Sequence, residues 1–196
     1  MFYRFVTAVI ICYWLSVQSV MALTPEQIER AEFSYQKGVQ YLEQNKLEEA
    51  EFFIKVAAEH EYPPANFTLA EIYLQKGKQA EALENFMIAA KSGFPRAMFR
   101  IGTLYSEGNG VDKDLQNAFF WFKNAAERGH PISQFYLGQM LLTGSGAPKD
   151  ENGALNWFLL AAKQGLGRAQ YSAGHLYYKG IGREANFEYA QQWLNK

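Results

Sequence analysis

Cysteine is almost missing from this chain: among 196 residues there is one, Cys12, and it lies in an apolar N-terminal stretch. The remainder can form no disulfide of its own, so its stability has to come from packing. Histidine is also scarce. The three histidines, His60, His130 and His175, are not spaced to share a metal ion. We therefore predict no metal site and no cofactor.

The charge balance and the short motifs exclude further classes. With 19 basic and 20 acidic residues the chain has a net charge of −1, and it lacks the basic excess that nucleic-acid binding requires. It contains no Gly-x-Ser-x-Gly nucleophile elbow and no phosphate-binding loop. The acidic residues are scattered, so they indicate no catalytic carboxylate pair. We predict that the protein is not an enzyme and has no catalytic residues.

The N-terminus has the layout of a secretory signal peptide. Arg4 precedes an apolar run over residues 5–15, and Val20-Met21-Ala22 offers small residues at the usual cleavage spacing. We expect residues 1–22 to be removed and the mature protein to be periplasmic or secreted. The alternative is an uncleaved anchor, which would make the protein membrane-tethered.

The rest of the chain is internally repetitive. Residues 97–130 contain two amphipathic stripes separated by a Gly-x-Gly break, with Asp114 placed to cap the second helix. The same residue types recur 36 positions later and again 36 beyond that. Upstream, the first helices recur at a spacing of 32, so two earlier hairpins have loops shorter by about four residues. A fixed period of this length is typical of a solenoid.

This pattern predicts an all-α fold, a right-handed α-solenoid of about five antiparallel helix hairpins. Thr24, Pro25 and Gln27 form the expected start of the first helix. Two compact hairpins are predicted first, and three units with the longer loop follow. The predicted units span residues 23–63, 64–95, 96–131, 132–167 and 168–196.

The residues of the third unit resemble a known repeat. The pattern Ala-x-x-x-Ile-Gly-x-x-Tyr-x-x-Gly-x-Gly-Val, then Asp, then Ala-x-x-Trp-Phe-x-x-Ala-Ala-x-x-Gly-His is similar to the SEL-one-like repeat (SLR) of the tetratricopeptide superfamily. The resemblance is close in residues 97–130, good in 133–165, and good but cut short in 169–196. The first two hairpins, residues 23–63 and 64–95, resemble ordinary tetratricopeptide units more. Some cysteine-rich members are associated with β-lactam binding or hydrolysis, but the cysteine pair that marks them is absent. An enzyme acting on cell-wall or β-lactam-type substrates is the alternative.

What the resemblance implies is a non-catalytic scaffold of the bacterial cell envelope. A protein or peptide partner would bind the concave face formed by the first helix of each repeat. Two rows of residues are the candidate contacts: the aromatic row Tyr35, Phe67, Phe99, Phe135 and Tyr171, and the variable row Val39, Glu71, Thr103, Gln139 and His175. The family pattern itself has an aromatic residue at the first of these positions, which favours a packing role for the aromatic row. The variable row is equally compatible with a merely solvated surface.

Three further expectations concern aromatic residues and the C-terminus. We expect Trp121, Trp157 and Trp193 to fill the space between neighbouring hairpins. The run Phe119-Phe120-Trp121-Phe122 cannot face one core on a helical period, so at least one ring should lie at a surface or between units. The last unit stops short of the full pattern, which would expose apolar surface and permit self-association there.

Overall fold

A computed structural model describes residues 24–195, and within that range every regular element is an α-helix. Residues 1–22, for which a signal peptide is predicted, lie outside the described range. The helices are α1 (Pro25–Glu43), α2 (Leu47–Ala58), α3 (Pro63–Gln75), α4 (Gln79–Lys91), α5 (Pro95–Glu107), α6 (Leu115–Glu127), α7 (Pro131–Thr143), α8 (Glu151–Lys163), α9 (Gly167–Lys179) and α10 (Phe187–Leu194). The predicted all-α fold of helix hairpins is confirmed. None of these helices is long and apolar enough to cross a membrane.

The chain divides into two compact units, of which the first is the hairpin α1–α2. The start of α1 is the predicted capping box: the Thr24 hydroxyl accepts from the Gln27 N–H at 3.2 Å, and the Thr24 N–H donates to Gln27 Oε1 at 2.9 Å. Gly38 of α1 lies against Ile54 of α2. The missing side chain at this glycine therefore lets the two helices of the hairpin approach closely.

The second unit, Pro63–Lys196, contains the four hairpins α3–α4, α5–α6, α7–α8 and α9–α10. The second helices α4, α6 and α8 also pack on the first helix of the following hairpin. Three of the second helices begin with the side-chain caps that the sequence indicates: Asp114, Asp150 and Asn186 accept hydrogen bonds from backbone N–H groups of the first turn. The capped helices α6 and α8 have 13 residues each, and α10 has 8.

In each hairpin with the longer loop, a glycine of the first helix faces a large side chain of the second helix. A Cβ atom on Gly138 of α7 would lie 2.8 Å from a ring carbon of Phe158 on α8. Gly102 and Phe122 repeat this relationship one hairpin earlier. Phe122 and Phe158 are 2% and 1% exposed, so these two rings, rather than neighbouring residues, are the centre of their hairpins.

The Gly-x-Gly loops join one hairpin to the previous one. Gly146, in the loop between α7 and α8, has φ +75°, and a Cβ there would collide with the carbonyl oxygen of Leu115 at the start of α6. The second glycine of this loop is thus required for two reasons, its backbone conformation and the contact with the preceding hairpin. The longer loops add an inter-hairpin contact as well as a helix break.

The tryptophans contribute less to the core than the sequence suggests. Trp121 and Trp193 pack against the buried clusters at their hairpins, yet both remain partly exposed, and Trp157 is also partly exposed. Trp121 and Trp193 thus lie against cores that neighbouring hairpins share, as expected, but the fully buried position in α6 and α8 is the next residue along the helix, Phe122 and Phe158.

The aromatic run in α6 is split between three environments. Phe122 is buried, and Phe119 packs beside it against Met140 of the next hairpin. Trp121 packs against the core shared by the α3–α4 and α5–α6 hairpins. Phe120 is 54% exposed and is the ring that the helical period leaves at the surface.

Candidate functional site

We call the side of the second unit that α3, α5, α7 and α9 form the first-helix face. A cavity of about 360 Å³ opens on it. The lining residues come from α3, α5 and the start of α7: Phe67, Glu71, Arg96, Phe99, Arg100, His130 and Ile132. We call it the α3–α5–α7 cavity. Because neighbouring hairpins contribute to one space, the cavity exists only when they stack.

Phe67 and Arg96 form one wall of the cavity. The Phe67 ring is 7% exposed and packs against Phe86 with ring centroids 5.6 Å apart. The Arg96 guanidinium lies 4.5 Å from the centroid of the Phe67 ring. This distance is within the range of a cation–π contact, so the ring holds the charge of Arg96 in the cavity wall.

Glu71 and Arg100 are paired across the α3–α5 interface. Arg100 Nε lies 2.6 Å from Glu71 Oε1, and the second guanidinium nitrogen donates to Glu71 Oε2 at 3.0 Å. Both side chains are about one-third exposed, so solvent screens part of the attraction. The pair links two hairpins and leaves these two residues with little net charge.

Phe99 is the aromatic centre of the cavity. Its ring centroid lies 5.8 Å from that of Phe122, 5.1 Å from that of His130 and 5.9 Å from that of Tyr136. These contacts come from α6, the turn before α7, and α7 itself. Phe99 therefore has a packing role between hairpins and is half-buried rather than free.

His130 is the N-cap of α7. Its Nδ1 accepts from the Ser133 N–H at 3.2 Å, which requires that nitrogen to be unprotonated. Burial lowers the pKa of His130 below its ordinary value, and the positive charge of Arg96 lowers it further. The imidazole is consequently neutral near pH 7 and serves as a structural acceptor.

The four members of the predicted aromatic row that belong to the second unit do not share one environment. Phe67 and Phe99 line the cavity, whereas Phe135 is 8% exposed and packs against Phe158 at 5.6 Å. Tyr171 is 64% exposed and stacks on His175 with ring centroids 6.2 Å apart. The structure brings two of these rings into one site and leaves the other two outside it.

The variable row lies along the same helices. Glu71 is in the cavity, and Thr103 donates its hydroxyl proton to the Phe99 carbonyl at 3.1 Å. Gln139 and His175 are exposed. Thr103 is thus partly committed to its own helix, while Gln139 and His175 are accessible from solvent.

Tyr35 and Val39 belong to the first unit and are half-buried. The Tyr35 ring meets that of Tyr62 edge-on at 5.5 Å. A separate cavity of about 610 Å³ in this unit is lined by Glu26, Glu29, Arg30, Phe33, Ser34, Val56 and His60, and it includes neither Tyr35 nor Val39.

Arg96, Arg100, His130 and Ile132 line the cavity but are absent from the predicted contact rows. One signal was available: Arg96 and Arg100 are four residues apart and flank Phe99, so they share its side of α5. In the described part of the chain, no three histidine or acidic side chains are grouped to hold a metal ion.

Two-helix units stacked side by side define an α-solenoid. The Sel1 repeat matches three consecutive segments, residues 95–130, 131–166 and 167–196, which together make up more than half of the chain. The chain belongs to the Sel1 repeat family. Proteins built from Sel1 repeats are generally protein-interaction scaffolds, and the family is typically non-catalytic. No curated protein matches the chain significantly.

Several solved structures are similar. The SLR-fold protein c5321, a protective antigen present in uropathogenic Escherichia coli strains, is 30% identical over 88% of this chain and 40% of its own, with a TM-score of 0.79. A Sel1 repeat protein from Oxalobacter formigenes is 34% identical over 74% of this chain and 44% of its own, with a TM-score of 0.69. The chain thus spans less than half the length of either protein. A third structure, from Klebsiella pneumoniae subsp. pneumoniae, is 21% identical with a TM-score of 0.53, which shows the fold alone.

Proposed function

We propose that this protein is a non-catalytic scaffold of the bacterial cell envelope that binds a protein partner on the first-helix face. The observation that carries the proposal is the α3–α5–α7 cavity, in which side chains from three consecutive first helices meet. Family membership supports it, since Sel1 repeat proteins are generally interaction scaffolds.

The chemistry of the cavity favours binding over catalysis. Glu71 and Arg100 are paired with each other, and His130 Nδ1 is occupied as a helix cap. A general acid or base needs a group free to exchange a proton with substrate. Glu71 and Arg100 are committed to the contact between hairpins, and His130 is committed to capping α7, so the enzyme alternative gains no support from them.

Site-specific photo-cross-linking in the cells that make the protein tests this function. A photoreactive residue is placed at Gln139, which is exposed on α7, and the matched control is placed at Phe120, which is exposed on α6. We expect one discrete protein to be captured from Gln139, identified by mass spectrometry, and none from Phe120. Capture from Phe120 alone would place the binding surface on the second helices and contradict the proposal.

The envelope location is the part of the proposal that rests on residues 1–22. Their charged start, apolar run and small-residue end support secretion, with a retained anchor as the alternative. Cell fractionation followed by N-terminal mass spectrometry distinguishes the two. A mature chain beginning at Leu23 in the periplasm or medium supports cleavage, and an intact N-terminus in the membrane fraction supports tethering.

Self-association through α9 and α10 is a second part of the proposal. At the start of α6 the next Gly-x-Gly loop packs on Leu115, whereas Phe187, at the equivalent position of α10, is 66% exposed. Its ring contacts that of Tyr178, which is 52% exposed, at 5.5 Å. Light scattering that detects a dimer lost in Phe187→Ser supports association; a monomer at high concentration contradicts it.

A further inference from the structure

The two sets of helices in the second unit carry opposite charge. The first helices hold four basic residues, Arg96, Arg100, Arg168 and Lys179, against two acidic residues, Glu71 and Glu107. The second helices hold three basic residues, Lys91, Lys123 and Lys163, against five acidic residues, Glu81, Glu84, Glu127, Glu151 and Glu188. The first-helix face is therefore the positive one, and it attracts an acidic partner in preference to a basic one.

Inside the cavity this charge is concentrated on one side chain. Arg100 is neutralised by its pairing with Glu71. Arg96, by contrast, is paired with no carboxylate among residues 24–195, and its side chain is exposed. An arginine held on an aromatic face keeps its N–H groups available, and its planar fork matches a carboxylate.

Three apolar side chains share the cavity with Arg96. Phe67 lies beneath it, Phe99 is at the centre of the cavity, and Ile132 is 40% exposed at the α7 side. His130 adds no charge at neutral pH, because burial and Arg96 lower its pKa. The cavity volume of about 360 Å³ lies near the lower end of the range for ligand pockets, so it suits a short segment of chain.

From these observations we infer that the α3–α5–α7 cavity binds an acidic segment of the protein partner. A glutamate or aspartate side chain of the partner pairs with Arg96, and an apolar side chain next to it packs against Phe99 and Ile132. The inference rests on the proposed function and adds to it the chemistry that selects the partner: one carboxylate beside one apolar group.

Fluorescence anisotropy with three labelled peptides of equal length tests the inference. The first alternates glutamate and phenylalanine, the second glutamine and phenylalanine, and the third lysine and phenylalanine. The protein is used with its natural sequence from Leu23 onward and as two variants. Arg96→Gln removes the charge from the cavity. Arg168→Gln is the matched control, because Arg168 occupies the same repeat position 72 residues later, is exposed, and lies outside the cavity.

We expect the glutamate peptide to bind at least about tenfold more tightly than the glutamine peptide, which is the size of effect that a charge-assisted hydrogen bond gives. Arg96→Gln should remove that preference while Arg168→Gln keeps it, and added salt should weaken binding to the unsubstituted protein. Thermal melts of the two variants establish that both are folded.

Three results would overturn the inference: equal binding of the glutamate and glutamine peptides, an equal loss in both arginine variants, or no binding of the glutamate peptide. None of these touches the proposed function, because cross-linking from Gln139 does not depend on the charge of the partner. If cross-linking from Gln139 captures nothing while the glutamate peptide still binds through Arg96, the proposed function is contradicted and the binding of an acidic segment by the cavity is supported.

Discussion

Gly138 and Phe158 face each other across the α7–α8 hairpin so closely that a Cβ on the glycine would lie 2.8 Å from the ring. The ring is 1% exposed and is also contacted by Phe135 at 5.6 Å. One small residue and one large residue thereby set the separation of the two helices. The α5–α6 hairpin, which also lines the α3–α5–α7 cavity, repeats this contact between Gly102 and Phe122.

Gly138→Ala tests this contact directly. Since the added methyl has to displace a buried ring, we expect a loss of about 1–3 kcal/mol in the free energy of unfolding. The measurement is chemical denaturation. Gly167→Ala is the matched control, because a Cβ there meets nothing within 4 Å; it should be neutral or slightly stabilising. An equal effect of the two substitutions would show that α7 and α8 are not held at this distance.

Adjacent aromatic residues on α8 should differ in their contribution to stability. Phe158→Ala leaves a cavity in the core and should cost about 3–5 kcal/mol, as buried phenylalanines do. Trp157→Ala should cost less, because Trp157 is partly exposed. Thermal melts of the two variants give the comparison, and a larger loss for the tryptophan would reverse our assignment of the core.

Gly146→Ala should destabilise the contact between hairpins. The alanine would have to adopt φ +75° and would collide with the Leu115 carbonyl oxygen. Gly165→Ala imposes a similar backbone strain at φ +86° but meets no atom within 4 Å. The excess loss of stability in Gly146→Ala over Gly165→Ala measures the inter-hairpin contact. Identical losses would mean that the loop contact adds nothing.

His130 should make stability fall on mild acidification. Its folded-state pKa is lowered, so the unfolded chain binds the proton more readily below about pH 6.5. The contribution is complete above that pH and is lost as the pH drops toward the folded-state pKa. Protonation of Nδ1 also removes the acceptor of the Ser133 N–H. His130→Asn keeps a capping side chain and should remove the dependence, as measured by melts across this pH range.

Removing the charge of Arg96 should raise the pKa of His130, because that charge is one of the two causes of its depression. Titration of the imidazole by NMR in Arg96→Gln gives the result. The pKa should remain below its ordinary value, since burial is the larger cause. An unchanged pKa would indicate that Arg96 does not lie beside the imidazole as described.

The sequence alone was enough to predict the helices and their pairing into hairpins. Glycines and prolines mark the turns, Asp114 and Asp150 mark helix starts, and the 36-residue period relates one hairpin to the next. It was not enough to choose between Trp157 and Phe158, because consecutive residues point about 100° apart and the helix rotation is set by packing. Phe158 is buried in the core because it is the residue that packs against Gly138.

The cavity was predicted only in part for a similar reason. Phe67, Glu71 and Phe99 could be found by repeat position, whereas the pairing of Glu71 with Arg100 joins residues 29 positions apart in different hairpins. Such contacts depend on how far one hairpin is displaced against the next. Periodicity gives the kind of residue at each position, but the displacement is a property of the packed structure.

The most direct test of the account measures how strongly the partner captured from Gln139 binds the purified protein and two surface variants. Gln139→Glu places a negative charge on the positive first-helix face, and Phe120→Ser changes an exposed residue of α6. We predict that Gln139→Glu weakens binding at least about tenfold, which corresponds to about 1.4 kcal/mol, and that Phe120→Ser leaves it unchanged. Loss of binding in Phe120→Ser with full binding by Gln139→Glu would contradict the central claim.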